Sequence, residues 1–245
     1  MPVPLPPLSQ NLSRCQASGD LPWHDAAAYW PGAEAGKILR MLDDGSVRSA
    51  IVRLAPWARR AADGACDATV QGYVLSGAVV IGDQEIGQGG FFVVPTGQPW
   101  PVIGARSAAE LLLIFDNPKT AQPVDAEAVV IADTAKAEPI VPVIDGVRLE
   151  GFARRVLWED PNTGADTRLL TVPAGFEGKG PNWHPVHEEI FCLAGDIGPD
   201  DTRLMTPGTY LHNPAFGIHG YHEHSVGGAT VLEWHDGLWA IKFTD

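Results

Sequence analysis

The chain has 245 residues, a formal net charge of −13 and a pI near 4.9, a balance that argues against nucleic acid or an anionic membrane as a partner. No apolar run approaches the roughly 18 residues a membrane span needs, and Met1-Pro-Val-Pro-Leu-Pro-Pro-Leu8 lacks the charged and apolar regions of a signal peptide. Three cysteines without a CxxC pair fit a reducing compartment, so the expected location is cytoplasmic.

Residues 1–20 read as an extended arm, because proline fixes φ and removes donors. With 27 Gly, 21 Pro and only 19% charged residues, the rest favours short strands and turns over long helices. Residues 21–118 carry branched and aromatic runs at 48–54, 72–75, 78–81, 91–94 and 110–115, separated by turn residues such as Asp43-Asp-Gly45 and Gly87-Gln-Gly-Gly90. The polar, proline-bearing stretch 116–123 marks a boundary. Residues 119–245 then repeat the pattern, with strands expected at 128–131, 147–150, 168–172, 189–193, 209–211, 230–234 and 238–243. The predicted class is all-β, a sandwich or barrel in each half.

The restart is an internal repeat. A slide of 118 residues puts Cys66 on His184, Val70 on Glu188 and Val74-Leu-Ser-Gly77 on Cys192-Leu-Ala-Gly195. One residue more puts Gly89 on Gly208, Pro95 on Pro214 and Trp100 on His219. The frame is shared and the chemistry is not, since every candidate ligand of the second copy is replaced in the first.

That chemistry lies in Gly180-Pro-Asn-Trp-His184-Pro-Val-His187-Glu188-Glu189-Ile-Phe-Cys-Leu-Ala-Gly195 and in Pro214-Ala-Phe-Gly-Ile-His219-Gly-Tyr-His222-Glu-His224. Imidazole with carboxylate is the donor mix of divalent iron, manganese, nickel, copper and zinc. Strand alternation puts His187 and Glu189 on the face opposite Glu188, although the Pro185 turn can break alternation, so His187 stays a candidate ligand. His222 is a candidate general base, against the alternative of a solvated strand end. Trp183, Tyr210, Phe216 and Tyr221, with Asn182, are candidates for a substrate pocket, against ordinary core packing.

The two motifs resemble those of the cupin superfamily. Asn182-x-His184-x3-Glu188-x6-Gly195 matches its first motif, with Asn182 where a histidine usually stands, and Gly208-x5-Pro214-x4-His219 matches the second. His-Pro-Val-His-Glu-Glu-Ile-Phe-Cys-Leu-Ala-Gly and Met205-Thr-Pro-Gly-Thr-Tyr look closest to bacterial ChrR-like bicupins, and more distantly to acetylacetone-cleaving dioxygenase. The resemblance implies two tandem jelly-roll β-barrels, a degenerate 21–118 copy without metal ligands and a 119–245 copy with one divalent transition metal. His184, Glu188 and His219 would hold that metal, with Fe(II) favoured and Zn, Mn, Ni or Cu as alternatives. It also implies a small-molecule ligand and a homodimer. A metal-dependent dioxygenase acting on a small oxygenated organic molecule is the leading functional expectation. A metal-containing sensor of the ChrR-like type and a metal-dependent isomerase or lyase are the alternatives.

Overall fold

The computed structural model describes residues 9–10, 13–62, 64–144 and 146–244. The chain is all-β, its only helical pieces among these residues being 3-10 turns at Ser18–Asp20 and Thr134–Lys136. It divides into two compact units, one formed by Leu21–Ala137 and the other by Glu138–Asp245 together with Met1–Asp20. The sequence places the boundary after residue 118. Residues 119–137 group with the first unit instead, because Val129–Ile131 pairs antiparallel with Phe91–Val94.

Each unit holds a six-stranded and a four-stranded sheet, and the strand orders coincide. The first unit's large sheet runs Val129–Ile131, Phe91–Val94, Val70–Ser76, Ala109–Phe115, Val47–Leu54, Ala35–Met41. In the second unit the order is Arg14–Ala17, Thr209–Asn213, Glu188–Gly195, Ala229–His235, Asp166–Val172, Ala153–Glu159. Strands 118 to 120 residues apart thus hold the same place, with one exception. The edge that the first unit fills with Val129–Ile131 is filled in the second by Arg14–Ala17, paired with Thr209–Asn213.

Alternation along these strands explains the cores. In the first unit Val52, Leu54, Val70, Val74, Leu111 and Leu113 of the large sheet meet Val79, Ile81, Ile86 and Ile103 of the small one. Burial of each such side chain contributes about 1.5–3 kcal/mol. The second core is assembled the same way, from Val172, Cys192, Leu211 and Val231 against Met205 and Ile197. Neither hydrogen-bond ladder closes round, so the expected barrels are pairs of sheets sharing a core among the described residues. The glycine that ends the shared V/C-L-x-G motif has a steric reason in both copies. Gly77 and Gly195 have φ of +74° and +76°, and a Cβ there would meet a backbone carbonyl oxygen at 2.3 and 1.9 Å.

In the first unit, the positions aligned with the ligands are packing positions. Cys66, Val70 and Trp100 all belong to the apolar core, where Trp100 meets Trp30 edge-on at 6.1 Å. Burial pushes the Cys66 thiol up to about 11, the behaviour of a small apolar side chain.

Candidate metal centre

Register fixes which polar side chains of the second unit share a face. Glu188 lies opposite both His235 and Asn213, and Arg168 lies opposite Glu233, which lies opposite Ile190. Since side chains alternate with period two, Asp166, Arg168, Glu188, Asn213, Glu233 and His235 project from one face. Glu189 projects from the other, where its carboxylate accepts a 2.6 Å hydrogen bond from Tyr210.

His184, Glu188 and His219 converge on that inner face, all nearly fully buried. The two Nε2 atoms are 3.1 Å apart; His184 Nε2 lies 3.4 Å from Glu188 Oε1 and His219 Nε2 3.6 Å from Glu188 Oε2. Ligands about 2.1 Å from an ion, subtending 90–109°, are about 3.0–3.4 Å from one another. Each histidine also turns Nδ1 toward a backbone carbonyl, Ala240 and Gly217 respectively, at 3.0 Å. An Nδ1–H donated there leaves both Nε2 lone pairs pointing into the same small space, the orientation found in metal-bound histidines. Two lone pairs and a carboxylate at this spacing require a cation among them, a proton or a metal.

The surroundings set the charge of that cation. Glu188 accepts hydrogen bonds from Asn213 at 2.7 Å and from the Trp239 indole at 3.2 Å. Burial opposes its ionisation, but the neighbouring histidines outweigh burial and hold its carboxyl well below the usual range. Burial likewise opposes protonation of His184, which Glu188 nevertheless raises; at His219 burial prevails and its pKa is lowered. Asn182 stands beside them, its main chain bonded reciprocally with that of His219 at 2.9 Å. Its Oδ1 is buried without a partner, and such an orphan costs about 1–3 kcal/mol. The residues therefore fit one divalent ion, with Asn182 offering an oxygen where the cupin motif usually has a histidine.

A second group, Glu188, Glu233 and His235, also brings its donor atoms within 4.8 Å. Its cations are already supplied by the protein. Arg168 donates to Glu233 through Nε at 2.9 Å and Nη2 at 3.2 Å, and lies 3.4 Å from Asp166. His235 Nδ1 sits 2.7 Å from Asp166. Burial works against the imidazolium, but Asp166, Glu188 and Glu233 push its pKa up to about 10. Asp166, Glu188 and Glu233 thus face Arg168 and a charged His235, so this group already holds its cations.

The His235 shift has a sign that can be measured in the metal-free protein. Raised from its ordinary value near 6.5, the group contributes stability that is fully present below about pH 6.5 and lost as pH rises through 10. Between pH 7 and pH 10 the wild type is expected to lose roughly 2–4 kcal/mol more than His235→Gln in urea denaturation. Equal losses would mean that His235 is neutral in the fold.

The other expected site residues lie elsewhere. His187 faces outward, its Nδ1 3.0 Å from His212 Nε2 and its main-chain N–H donated to Asp236 at 2.9 Å. The structure therefore sets it with the outer-face residues, as alternation requires, and not with the three ligand candidates. His222 is exposed between Asp201 and Glu177, 3.3 Å from the latter. Of the five expected pocket residues, Asn182 lines the cavity beside the cluster. Trp183 packs on Phe216 at 5.7 Å, Tyr210 is core and Tyr221 is 48% exposed.

The cavity measures about 370 Å³, and His184, Glu188 and Glu233 are among the residues that line it. Its walls are largely apolar, with Leu149, Phe152, Phe176, Ile190 and Trp239 among them. Sequence reasoning missed Asp166, Arg168, Glu233 and His235. Their signal was present as charges two residues apart at the ends of otherwise apolar strands, which is unusual inside a core. It missed Glu223 as well, a half-buried cavity residue whose carboxyl is pushed up to about 7 by burial and by the charge of Glu188.

The chain belongs to the family described as a domain of unknown function, DUF4437, whose model matches residues 31–233. No curated protein matches it. Among solved structures it is similar to a Nostoc punctiforme protein provisionally called a dioxygenase, at 19% identity and TM-score 0.74, covering 92% of this chain and 82% of that one. It is also similar to the E. coli protein Ylba, described with family model DUF861, at 15% identity and TM-score 0.67, over 96% and 94% of the two chains. Oxalate decarboxylase from Bacillus subtilis gives 17% identity and TM-score 0.59, over 93% and 77%. At these identities the likeness concerns the fold alone, a cupin-like one. No helix among the described residues is long and apolar enough to cross a membrane.

Proposed function

We propose that this DUF4437 member is a mononuclear metal-dependent enzyme of the dioxygenase class, acting on a small oxygenated organic molecule in the second unit's cavity. The observation that carries the metal is the meeting of two Nε2 atoms and a carboxylate at 3.1–3.6 Å, with both Nδ1 atoms turned to carbonyls. Two histidines and one carboxylate leave further positions on an octahedral ion open, the donor set of non-haem Fe(II) oxygenases. A bound divalent ion supplies Lewis acidity and, where it is redox-active, activation of O2. His184, Glu188 and His219 would hold it and Asn182 would contribute an oxygen. Arg168 and His235 fix the charge and direction of the inner-face carboxylates, and the apolar wall excludes water from the reacting molecule.

The similarity to a protein provisionally called a dioxygenase supports this class. We further read the two units as tandem cupin domains, the first without a metal, in the manner of the ChrR-like bicupins.

Glu223 favours a second reading. A carboxyl near 7 in the same cavity suits proton transfer, and a metal-dependent lyase or isomerase needs no O2. Oxalate decarboxylase, whose Bacillus subtilis form has Mn(II) centres, is a related fold of that kind.

Elemental analysis of protein purified without chelator is expected to give about one transition-metal ion per chain. The Fe(II)-loaded protein is then offered β-diketones and catechols in an oxygen-electrode cell. Stoichiometric O2 uptake supports the dioxygenase, whereas turnover of an organic acid without O2 uptake replaces it with the lyase. Two metal equivalents per chain would show that the first unit or the Glu233 group also binds an ion.

A further inference from the structure

The carboxylates and cations of the cavity do not pair off completely. Arg168 is taken by Glu233, Arg148 by Glu150 at 2.9 Å, and Glu177 by His222 at 3.3 Å. Glu188 belongs to the histidine cluster, and burial drives Glu223 toward its neutral form. Two cavity cations, Arg154 and Lys179, form no close ion pair among the described residues. Lys179 lies near the Phe243 ring, at 5.8 Å. Lys179 is exposed, but Arg154 is partly buried, and in a chain of net charge −13 a guanidinium outside any ion pair in a largely apolar pocket is a feature to explain.

Arg154 is the more informative of the two. Its Nε is buried and has no hydrogen-bond partner. Asp166 feels its charge, but the oxygens of Asp166 already face His235 and Arg168 at 2.7 and 3.4 Å. Arg154 lies opposite Leu170, on the same inner face as Arg168. Its strand, Ala153–Glu159, is three places from Glu188–Gly195 in the sheet, about 14 Å at the usual strand spacing. The cavity thus holds a metal-type donor set and, on a strand three places away, a guanidinium whose Nε lacks an acceptor, with the apolar side chains Leu170, Val231 and Ile190 also lining it.

We infer that the cavity takes an organic carboxylate with an apolar body, and that Arg154 anchors the carboxylate through its unpartnered Nε edge. A planar guanidinium offers Nε–H and Nη–H as a parallel pair that matches the two oxygens of a carboxylate. The buried Nε–H gains its missing acceptor when the ligand arrives, and the apolar body covers the strip of Leu170, Val231 and Ile190. The inference rests on the proposed small-molecule site and names the substrate class for it. It makes Arg154 a binding and specificity residue, with no part in bond making.

Isothermal titration of the Mn(II)-loaded full chain tests it, using butyrate, hexanoate, octanoate, benzoate and 3-phenylpropionate, each beside its primary amide. At least one acid is expected to bind tenfold or more tightly than its amide. Arg154→Gln is expected to lower that acid-to-amide ratio about tenfold while leaving amide affinity, metal content and the unfolding midpoint unchanged. Arg154→Lys, a point charge without the fork, restores part of the ratio. The inference fails if no acid outbinds its amide, or if R154Q leaves the ratio intact. A parallel titration after chelation separates the two layers. A preference that vanishes on chelation yet survives R154Q sinks the Arg154 anchor and keeps the metal site. A preference lost in R154Q in a protein that holds no metal keeps the anchor and sinks the metal reading.

Discussion

Replacing His219 with alanine is expected to take bound metal from about one ion per chain to less than a tenth, while Trp100→Ala leaves it unchanged. The two residues occupy aligned positions of the repeat, so the pair isolates chemistry from fold. His219 is buried with its Nε2 3.1 Å from that of His184 and 3.6 Å from Glu188. Its removal takes one of three strong donors and leaves His184 and Glu188 to bind as an ordinary ion pair. Trp100 lies in an apolar core against Trp30, with the Arg60 guanidinium 3.5 Å from its ring centre. Truncating it costs packing, on the order of 3–5 kcal/mol, and no ligand. Metal content by elemental analysis, with circular dichroism to confirm folding, reads the outcome. Equal loss in both variants would show that the repeat alignment misplaced the site. Unchanged metal in His219→Ala would leave the proposed cluster a hydrogen-bonded one.

The second large effect concerns stability. Arg168→Met is expected to lower the unfolding free energy of the metal-free protein by about 3–5 kcal/mol, because it leaves the buried carboxylates Glu233, Asp166 and Glu188 to share the single cation His235. Arg168 is 3% exposed and Glu233 4%, their contact is two-pronged, and the guanidinium also lies 4.5 Å from the Trp239 ring centre. A double change, Arg168→Met with Glu233→Leu, removes both charges and is expected to recover about half of the loss or more, since a buried pair contributes little beyond an apolar replacement. Urea denaturation at pH 7 measures both. A single-variant loss under about 1 kcal/mol would mean that water reaches the pair. A double variant as unstable as the single would place the effect in packing on Trp239.

The same residues show what could be read from the sequence. The frame of Gly77 and Gly195, each ending a V/C-L-x-G run, was legible because a positive φ next to a carbonyl admits only glycine. His184, Glu188 and His219 were legible from motif spacing, and the outward turn of Glu189 from strand alternation. The Asp166, Arg168, Glu233 and His235 network was not. Each stands on a strand dominated by apolar residues, and nothing local says that strands 65 residues apart lie side by side. The four aromatics expected at the pocket fared differently from Asn182 for a related reason. Trp183, Tyr210, Phe216 and Tyr221 lie close in sequence to the ligands, but alternation and turns send their side chains to other faces. Much of the cavity wall comes from residues 142–154, 168–179 and 239–243, which lie outside both motifs.

The boundary between the units follows the same division. Composition marks the polar stretch 116–123, yet Val129–Ile131 continues the first unit's sheet, and Arg14–Ala17 completes the second unit's sheet from the far end of the chain. Edge pairing depends on which backbone finds an open ladder, and three or four residues of sequence carry no record of the partner. The sequence by itself determined the all-β class, the repeat and the types of donor at the candidate site, since these follow from period, turn chemistry and donor identity. Only the tertiary structure decided which charges neutralise one another, which polar atoms are buried without a partner and which residues line the cavity. Those are properties of distance between strands remote in the chain, and local residue order does not encode them.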